Sequence, residues 1–142
     1  MLNVTKLAEW LRVKTAWQET PVVLASSDYI GMVIDGIERL FVDTGRALAY
    51  DENLYVTLED ESIGYDADIP LDEKRYIQIC SEMNFFAKVQ SDVNNSFGYS
   101  TDALTVTNAD KPYANLKDTL DKLENERRII YYKMVRYTLG ET

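Results

Sequence analysis

The 142-residue chain has no histidine, a single cysteine and no glycine-rich loop spaced to cradle a phosphate. Chemistry at a site needs a nucleophile, a base or a metal ligand, and histidine and cysteine are the side chains that most often fill those roles near neutral pH. Their scarcity points to a scaffold or an assembly part. Cys80 has no internal partner for a disulfide and lies between Ile79 and Met83 on a helical seam, so it reads as a small buried hydrophobe. No apolar run approaches the roughly 20 residues that a membrane span requires. The opening Met1-Leu2-Asn3-Val4-Thr5-Lys6 lacks the basic region and apolar stretch of a secretory signal. A cytoplasmic setting is therefore expected, in which the sequons Asn3-Val4-Thr5 and Asn94-Asn95-Ser96 carry no weight.

Positive charge is short as well. Fifteen Lys and Arg face 24 Asp and Glu, a net charge of −9 with a pI near 4.5. Gripping a nucleic acid rests on clustered cations that release counterions from the phosphates, and this balance argues against it. An acidic wall would instead repel the polyanion and let it slide past. The length suits one domain with a real core and is too short for two of ordinary size. The 46% hydrophobic and 27% charged residues lie near globular averages and argue against both wholesale disorder and a fibrous repeat.

What is present is helical period. Tyr113, Leu116, Leu120, Leu123, Arg127, Ile130, Met134 and Tyr137 are spaced alternately three and four apart, a heptad seam. Tyr76, Ile79, Met83, Phe86, Gln90, Val93 and Phe97 form a second one. The expected fold class is mainly α: a helical bundle with a long antiparallel helix hairpin and a small projecting β-ribbon or loop between the two long helices. A single helical domain over residues 1–142 is expected, with helices at 5–17, 27–44, 71–96 and 111–138 and β-prone segments at 53–58 and 103–107.

Local signals set those bounds. Thr5 is a candidate N-cap for a first helix carrying Leu7, Trp10 and Leu11, which ends near Trp17 before Gln18-Glu19-Thr20-Pro21. Ser26 or Ser27 caps a second, with Asp28 at its positive end and a stripe of Ile30, Val33, Ile34, Ile37, Leu40 and Phe41. Gly31 and Gly36 each weaken that helix by up to about 1 kcal/mol relative to alanine, so both are expected to allow close packing against a neighbouring backbone. Gly45 supplies the stop. Pro70, Asp72 and Glu73 open the third helix; Asp110 and Pro112 open the last, which Gly140 closes. Leu104-Thr105-Val106-Thr107 is β-prone and suits a projecting tip able to pair with a sheet edge.

Carboxylates are the only abundant reactive groups. Glu59-Asp60-Glu61 and Asp66-Ala67-Asp68 read as solvated charge. Asp51-Glu52-Asn53 begins like a calcium loop, but Val56 stands where the sharp turn demands glycine, and no glutamate follows at the twelfth position. A carboxylate-dependent metal hydrolase is one alternative, since any two acids can meet in space, yet no pair is marked. No catalytic, metal or cofactor-binding residue is assigned, and no cofactor is expected.

Ten tyrosines are present, a residue that suits either a subunit interface or an aromatic core. Ile129-Ile130-Tyr131-Tyr132 with Met134 and Val135 places apolar groups on nearly every face of one helix, and such a helix must be covered all round. The expected partner-binding residues are Tyr99, Leu104, Val106, Ile129, Tyr131, Tyr132 and Val135. Arg127 and Gln90 interrupt the two seams. Polar seam residues either specify register or mark where the seam reaches solvent, and the second is the simpler expectation.

Leu7-Ala8-Glu9-Trp10-Leu11-Arg12, the stripe from Ile30 to Phe41 and Val42-Asp43-Thr44-Gly45-Arg46 together resemble the opening of tailed-bacteriophage head-to-tail connector proteins, the adaptor or head-completion group. The second half is similar to the same plan: a long helix, a Phe97-Gly98-Tyr99-Ser100 tip with its β-prone segment, and another long helix from near Tyr113. The resemblance implies a structural virion subunit, not an enzyme, that forms a homo-oligomeric ring, a dodecamer, below the portal protein. It would extend the DNA channel, pass DNA without specific binding, and dock the next neck or tail protein. The place implied is a virion or phage-like particle assembled in the host cytoplasm, with no membrane contact. The competing reading is a helical protein-interaction module unconnected with phage, a monomer or dimer.

Overall fold

A computed structural model describes residues 2–45, 50–51, 70–96 and 113–140, and within them helix predominates. The order is β1 (Leu2–Asn3), α1 (Val4–Lys14), α2 (Ser26–Thr44), β2 (Tyr50–Asp51), α3 (Leu71–Ser96) and α4 (Leu116–Gly140). The expected β-prone segments 53–58 and 103–107, and the tip between the long helices, lie outside the described residues. The two short strands pair in parallel, Leu2 with Tyr50 and Asn3 with Asp51, and neither falls within the β-prone bounds expected at 53–58 and 103–107.

The first helix begins a residue earlier and ends three residues sooner than the period suggested. Val4, rather than lying outside a Thr5 cap, is helical and fully buried, in one stripe with Leu7, Ala8 and Leu11. Its end is set by Thr15, whose N–H and hydroxyl both donate to the Leu11 carbonyl, at 3.0 and 2.7 Å. Ala16 N–H then bonds back to Val13 and Gln18 N–H to Thr15, so the chain tightens into turns before Trp17.

At the start of α2 the cap is Ala25, not Ser26 or Ser27. Ala25 is extended, and the Asp28 carboxylate accepts its N–H at 2.8 Å, which satisfies a backbone donor and places negative charge at the positive helix end. The helix stops at Gly45, whose φ of 75° is strained for any residue with a Cβ and whose N–H reaches the Phe41 carbonyl at 2.7 Å. The last helix starts at Leu116, later than expected, where the Asn115 carbonyl accepts the Thr119 N–H at 2.9 Å. Tyr113 sits in a tight turn before it.

The third helix packs against both α2 and α4 and also meets α1. It therefore needs two buried faces. Tyr76, Ile79 and Phe86 of the expected seam are buried, and so is a second row, Ile77, Ser81, Phe85 and Val89. That row meets α2: a Cβ on Gly36 would lie 3.0 Å from the Ile77 carbonyl and from Ser81 Oγ. Asn84 Nδ2 donates to the Met32 carbonyl at 2.9 Å, and the Phe85 ring stacks on Tyr29 with centroids 6.2 Å apart. Since α2 positions 29, 32 and 36 meet α3 positions 85, 84 and 77–81, these two helices run antiparallel. Leu116 and Leu123 of α4 close the same core.

The two glycines of α2 differ. Gly36 serves the expected close packing, whereas a Cβ on Gly31 would meet nothing within 4 Å.

Candidate functional site

Where the three larger helices meet, five polar side chains form one network centred on the Tyr76 hydroxyl, which two of them reach directly. Tyr76 has no exposed surface, and its hydroxyl donates to Asp43 Oδ2 and accepts from Arg127 Nη1 at 2.8 Å. Asp43 is also bound by Arg39 Nε at 2.8 Å, one helical turn away on α2, and approached by Arg127 Nη1 at 3.4 Å. Arg127 turns its other edge to Glu124 in a two-point pair, Nε to Oε2 at 2.8 Å and Nη2 to Oε1 at 2.6 Å. The guanidinium carbon lies 5.9 Å from the centre of the Tyr76 ring. The network ties α2 (Arg39, Asp43), α3 (Tyr76) and α4 (Glu124, Arg127) into one unit.

Arg127 thus corrects the sequence expectation. Its side chain is 11% exposed, so the α4 seam does not run out into solvent there. It carries a charge whose planar fork is satisfied on both edges, the arrangement that makes a buried guanidinium tolerable. Gln90, the other seam interruption, is exposed as expected.

The titration of the cluster suits fastening more than proton transfer. Burial pushes the Tyr76 phenol up, and its hydrogen bond to the Asp43 carboxylate adds to that against the pull of Arg127. Burial would raise Asp43 too, but the hydrogen bonds from Tyr76 and Arg39 and the two guanidinium charges outweigh it and hold the carboxyl below its ordinary value. The hydrogen bond from Arg127 likewise holds Glu124 down, against its burial. General acid–base work wants a group that titrates near the working pH, and these shifts move phenol and carboxylates away from it.

A neighbouring acid behaves differently. Glu82 on α3 is 5% exposed, its Oε2 lacks a hydrogen-bond partner, and its nearest cation, Arg75 Nη1, stands 3.8 Å away. Arg75 is shared with Glu126 of α4 at 3.3 Å. Burial raises the Glu82 carboxyl; Arg75 and Lys14 oppose this, and Glu126 reinforces it. Cys80 is buried beside the polar cluster, and burial pushes its thiol up to about 12. Among the described residues, no three acidic or cysteine side chains gather as a metal-binding group, and no helix is long and apolar enough to cross a membrane.

Of the seven expected partner-binding residues, Tyr99, Leu104 and Val106 lie outside the described residues. The other four are not equivalent. Tyr131 packs against the core with Ile130 and Met134, and Val135 is half-buried. Ile129 and Tyr132 face outward, 58% and 64% exposed. The helix that looked apolar on every face is therefore partly covered within the chain, and one stripe stays open. The polar cluster itself was not assigned from sequence. Its signals were Arg127 inside a heptad and the Arg39/Asp43 pair four apart, but neither names the other's helix.

Comparison with protein-family models, with curated proteins and with solved structures gives no match.

Proposed function

We propose that the chain is a structural assembly subunit of the head-to-tail connector type, joining copies of itself into a ring below a portal and presenting a surface to the next neck or tail protein. The observation that carries this reading is the open stripe of Ile129 and Tyr132 on α4. The helix already closes its inner face on the core, yet it keeps two large apolar side chains in water. Exposed aromatic and aliphatic pairs of this kind suit subunit interfaces. The interhelix clamp supports the same reading, because a ring wall built from one copy after another needs helices that do not slide past each other.

In this reading α3 and α4 form a long antiparallel hairpin whose tip, with Tyr99, Leu104 and Val106, docks on a partner protein. The acidic balance of the chain, −9 overall, suits a channel that packaged DNA traverses without adhering. The connector assignment itself rests on the sequence resemblance.

The test is native mass spectrometry and negative-stain imaging of the full chain at high concentration, alone and with a portal ring. Closed rings in either sample support the proposal. Monomers or dimers in both overturn it in favour of a protein-interaction module. A DNA-binding titration is the second readout: no association at moderate salt is expected, and a salt-sensitive micromolar affinity contradicts the channel role.

A further inference from the structure

Gly31 lies inside α2, where glycine costs up to about 1 kcal/mol relative to alanine, and nothing within the described chain explains it. It lines an open cleft of about 380 Å³ between α2 and α3, together with Asp28, Met32, Asp35, Asn84 and Lys88 among others. That is the small end of ligand-sized clefts. Its polar groups are unevenly committed. Asn84 donates to the Met32 carbonyl at 2.9 Å, and Lys88 is bound to Asp92 at 2.9 Å, so its charge is compensated from within the chain. Asp28 spends one oxygen on the Ala25 N–H, and Asp35 is exposed. The rim is left negative.

The open stripe of α4 has the complementary character. Ile129 and Tyr132 are flanked by Arg128 and Lys133, both exposed. Glu124, 3.8 Å from Arg128, is already held by the two-point pair with Arg127, and the basic groups of the ridge are Arg128 and Lys133 on either side of the apolar pair. A residue without a Cβ in the lining of a cleft rimmed by Asp28 and Asp35, and an aromatic ridge flanked by Arg128 and Lys133 on another helix, are matching halves.

We infer that the Arg128–Ile129–Tyr132–Lys133 ridge of one copy seats in the Gly31 cleft of a second copy, with Tyr132 over Gly31 and the basic flanks against Asp28 and Asp35. This rests on the self-assembly reading above and names the two surfaces that carry it. Ridge and cleft belong to different elements, so a copy that has given its ridge still offers its cleft. Contacts of that kind run head to tail and close into a ring when the rotation between copies allows.

The experiment measures association of the full chain by sedimentation velocity, alone and on a portal ring, for the wild type, Gly31→Ala, Gly31→Leu and Asp35→Arg. A methyl group at position 31 meets nothing within 4 Å, so Gly31→Ala is expected to fold with a Tm no lower than wild type, and the Tm of Gly31→Leu is measured beside it to show that it is folded. Gly31→Leu is expected to weaken association at least about tenfold, while Gly31→Ala stays within a few-fold. Asp35→Arg is expected to weaken association, and mixing it with Lys133→Asp to restore part of it. If folded Gly31→Leu associates like the wild type, the cleft is not the seat and this inference is overturned while self-assembly stands. If the wild type does not associate in either setting, the assembly reading fails and this inference with it.

Discussion

Arg127 Nη1 donates to the hydroxyl oxygen of Tyr76 at 2.8 Å, although the two residues stand 51 positions apart in the chain. That contact fixes the register of the last helix on the third, beside the Arg75–Glu126 pair, and through Asp43 on the second. Apolar seams tolerate a sliding register at modest cost, because one leucine fits a neighbouring hole nearly as well as another. A buried guanidinium that must find a phenol and two carboxylates at once does not.

Tyr76→Phe keeps the ring and removes only the hydroxyl, leaving Asp43 and Arg127 each short of a partner. A loss of about 1–3 kcal/mol is expected, read as a lower urea midpoint at unchanged m. Arg127→Met strips the cation from two carboxylates and should cost more, about 3–5 kcal/mol. A double-mutant cycle on Tyr76 and Arg127 checks the pairing: additive losses would show that the hydroxyl and the guanidinium act separately.

The glycines of α2 should respond in opposite directions. At Gly36 a methyl group would press on the Ile77 carbonyl and Ser81 Oγ at 3.0 Å, forcing α2 and α3 apart. Gly36→Ala is expected to cost about 1–3 kcal/mol, as overpacking does. Gly31→Ala meets no neighbour and should gain up to about 1 kcal/mol of helix propensity. Thermal unfolding of the two variants side by side measures both signs.

Glu82 and Asp43 should leave opposite marks on the pH dependence of stability. Burial raises the Glu82 pKa on folding. Its favourable contribution is therefore present below its unfolded value, near pH 4.3, and is lost as pH climbs through the folded value. Asp43 has its pKa lowered, so its contribution is present above its unfolded value, near pH 3.9, and is lost as pH falls through the folded one. Glu82→Gln is expected to raise the urea midpoint at pH 7, with the gain shrinking toward pH 4. Asp43→Asn is expected to lower it at pH 7 and to flatten the loss of stability on acidification. A Glu82→Gln gain that does not change with pH would show that its charge is not the cause.

Cys80 should be silent in the native protein. It is 3% exposed, and burial pushes its thiol up to about 12, so almost no thiolate is present at pH 8. Thiol reagents are expected to label it only in step with urea unfolding. Fast labelling of the folded chain would show that the contact between α2, α3 and α4 opens locally.

Much of the helical architecture is legible without coordinates. The spacing of Val33, Ile37 and Leu40, and of Leu116, Leu120 and Leu123, repeats every three or four positions, and only a helix brings such positions to one face. Gly45 announces a stop because it alone among neighbouring residues tolerates a positive φ, and the structure uses it so. Local chemistry misled where two signals competed: serines at 26 and 27 looked like caps, yet Asp28 caps from inside the helix by reaching back to Ala25.

Tertiary structure decided which faces are used and by what. Period shows that a helix has a buried face but not how many neighbours it has. The row Ile77, Ser81, Phe85 and Val89 was therefore hidden behind the stronger heptad until α2 was seen packed on it. The same holds for Arg127. In one dimension it is a flaw in an apolar stripe, and its partners Asp43 and Tyr76 are 84 and 51 residues away. Periodicity records interactions along a helix, over distances of a turn or two. Hydrogen bonds and charges between helices depend on how the chain folds back on itself, and that choice is made by the packing of the whole core.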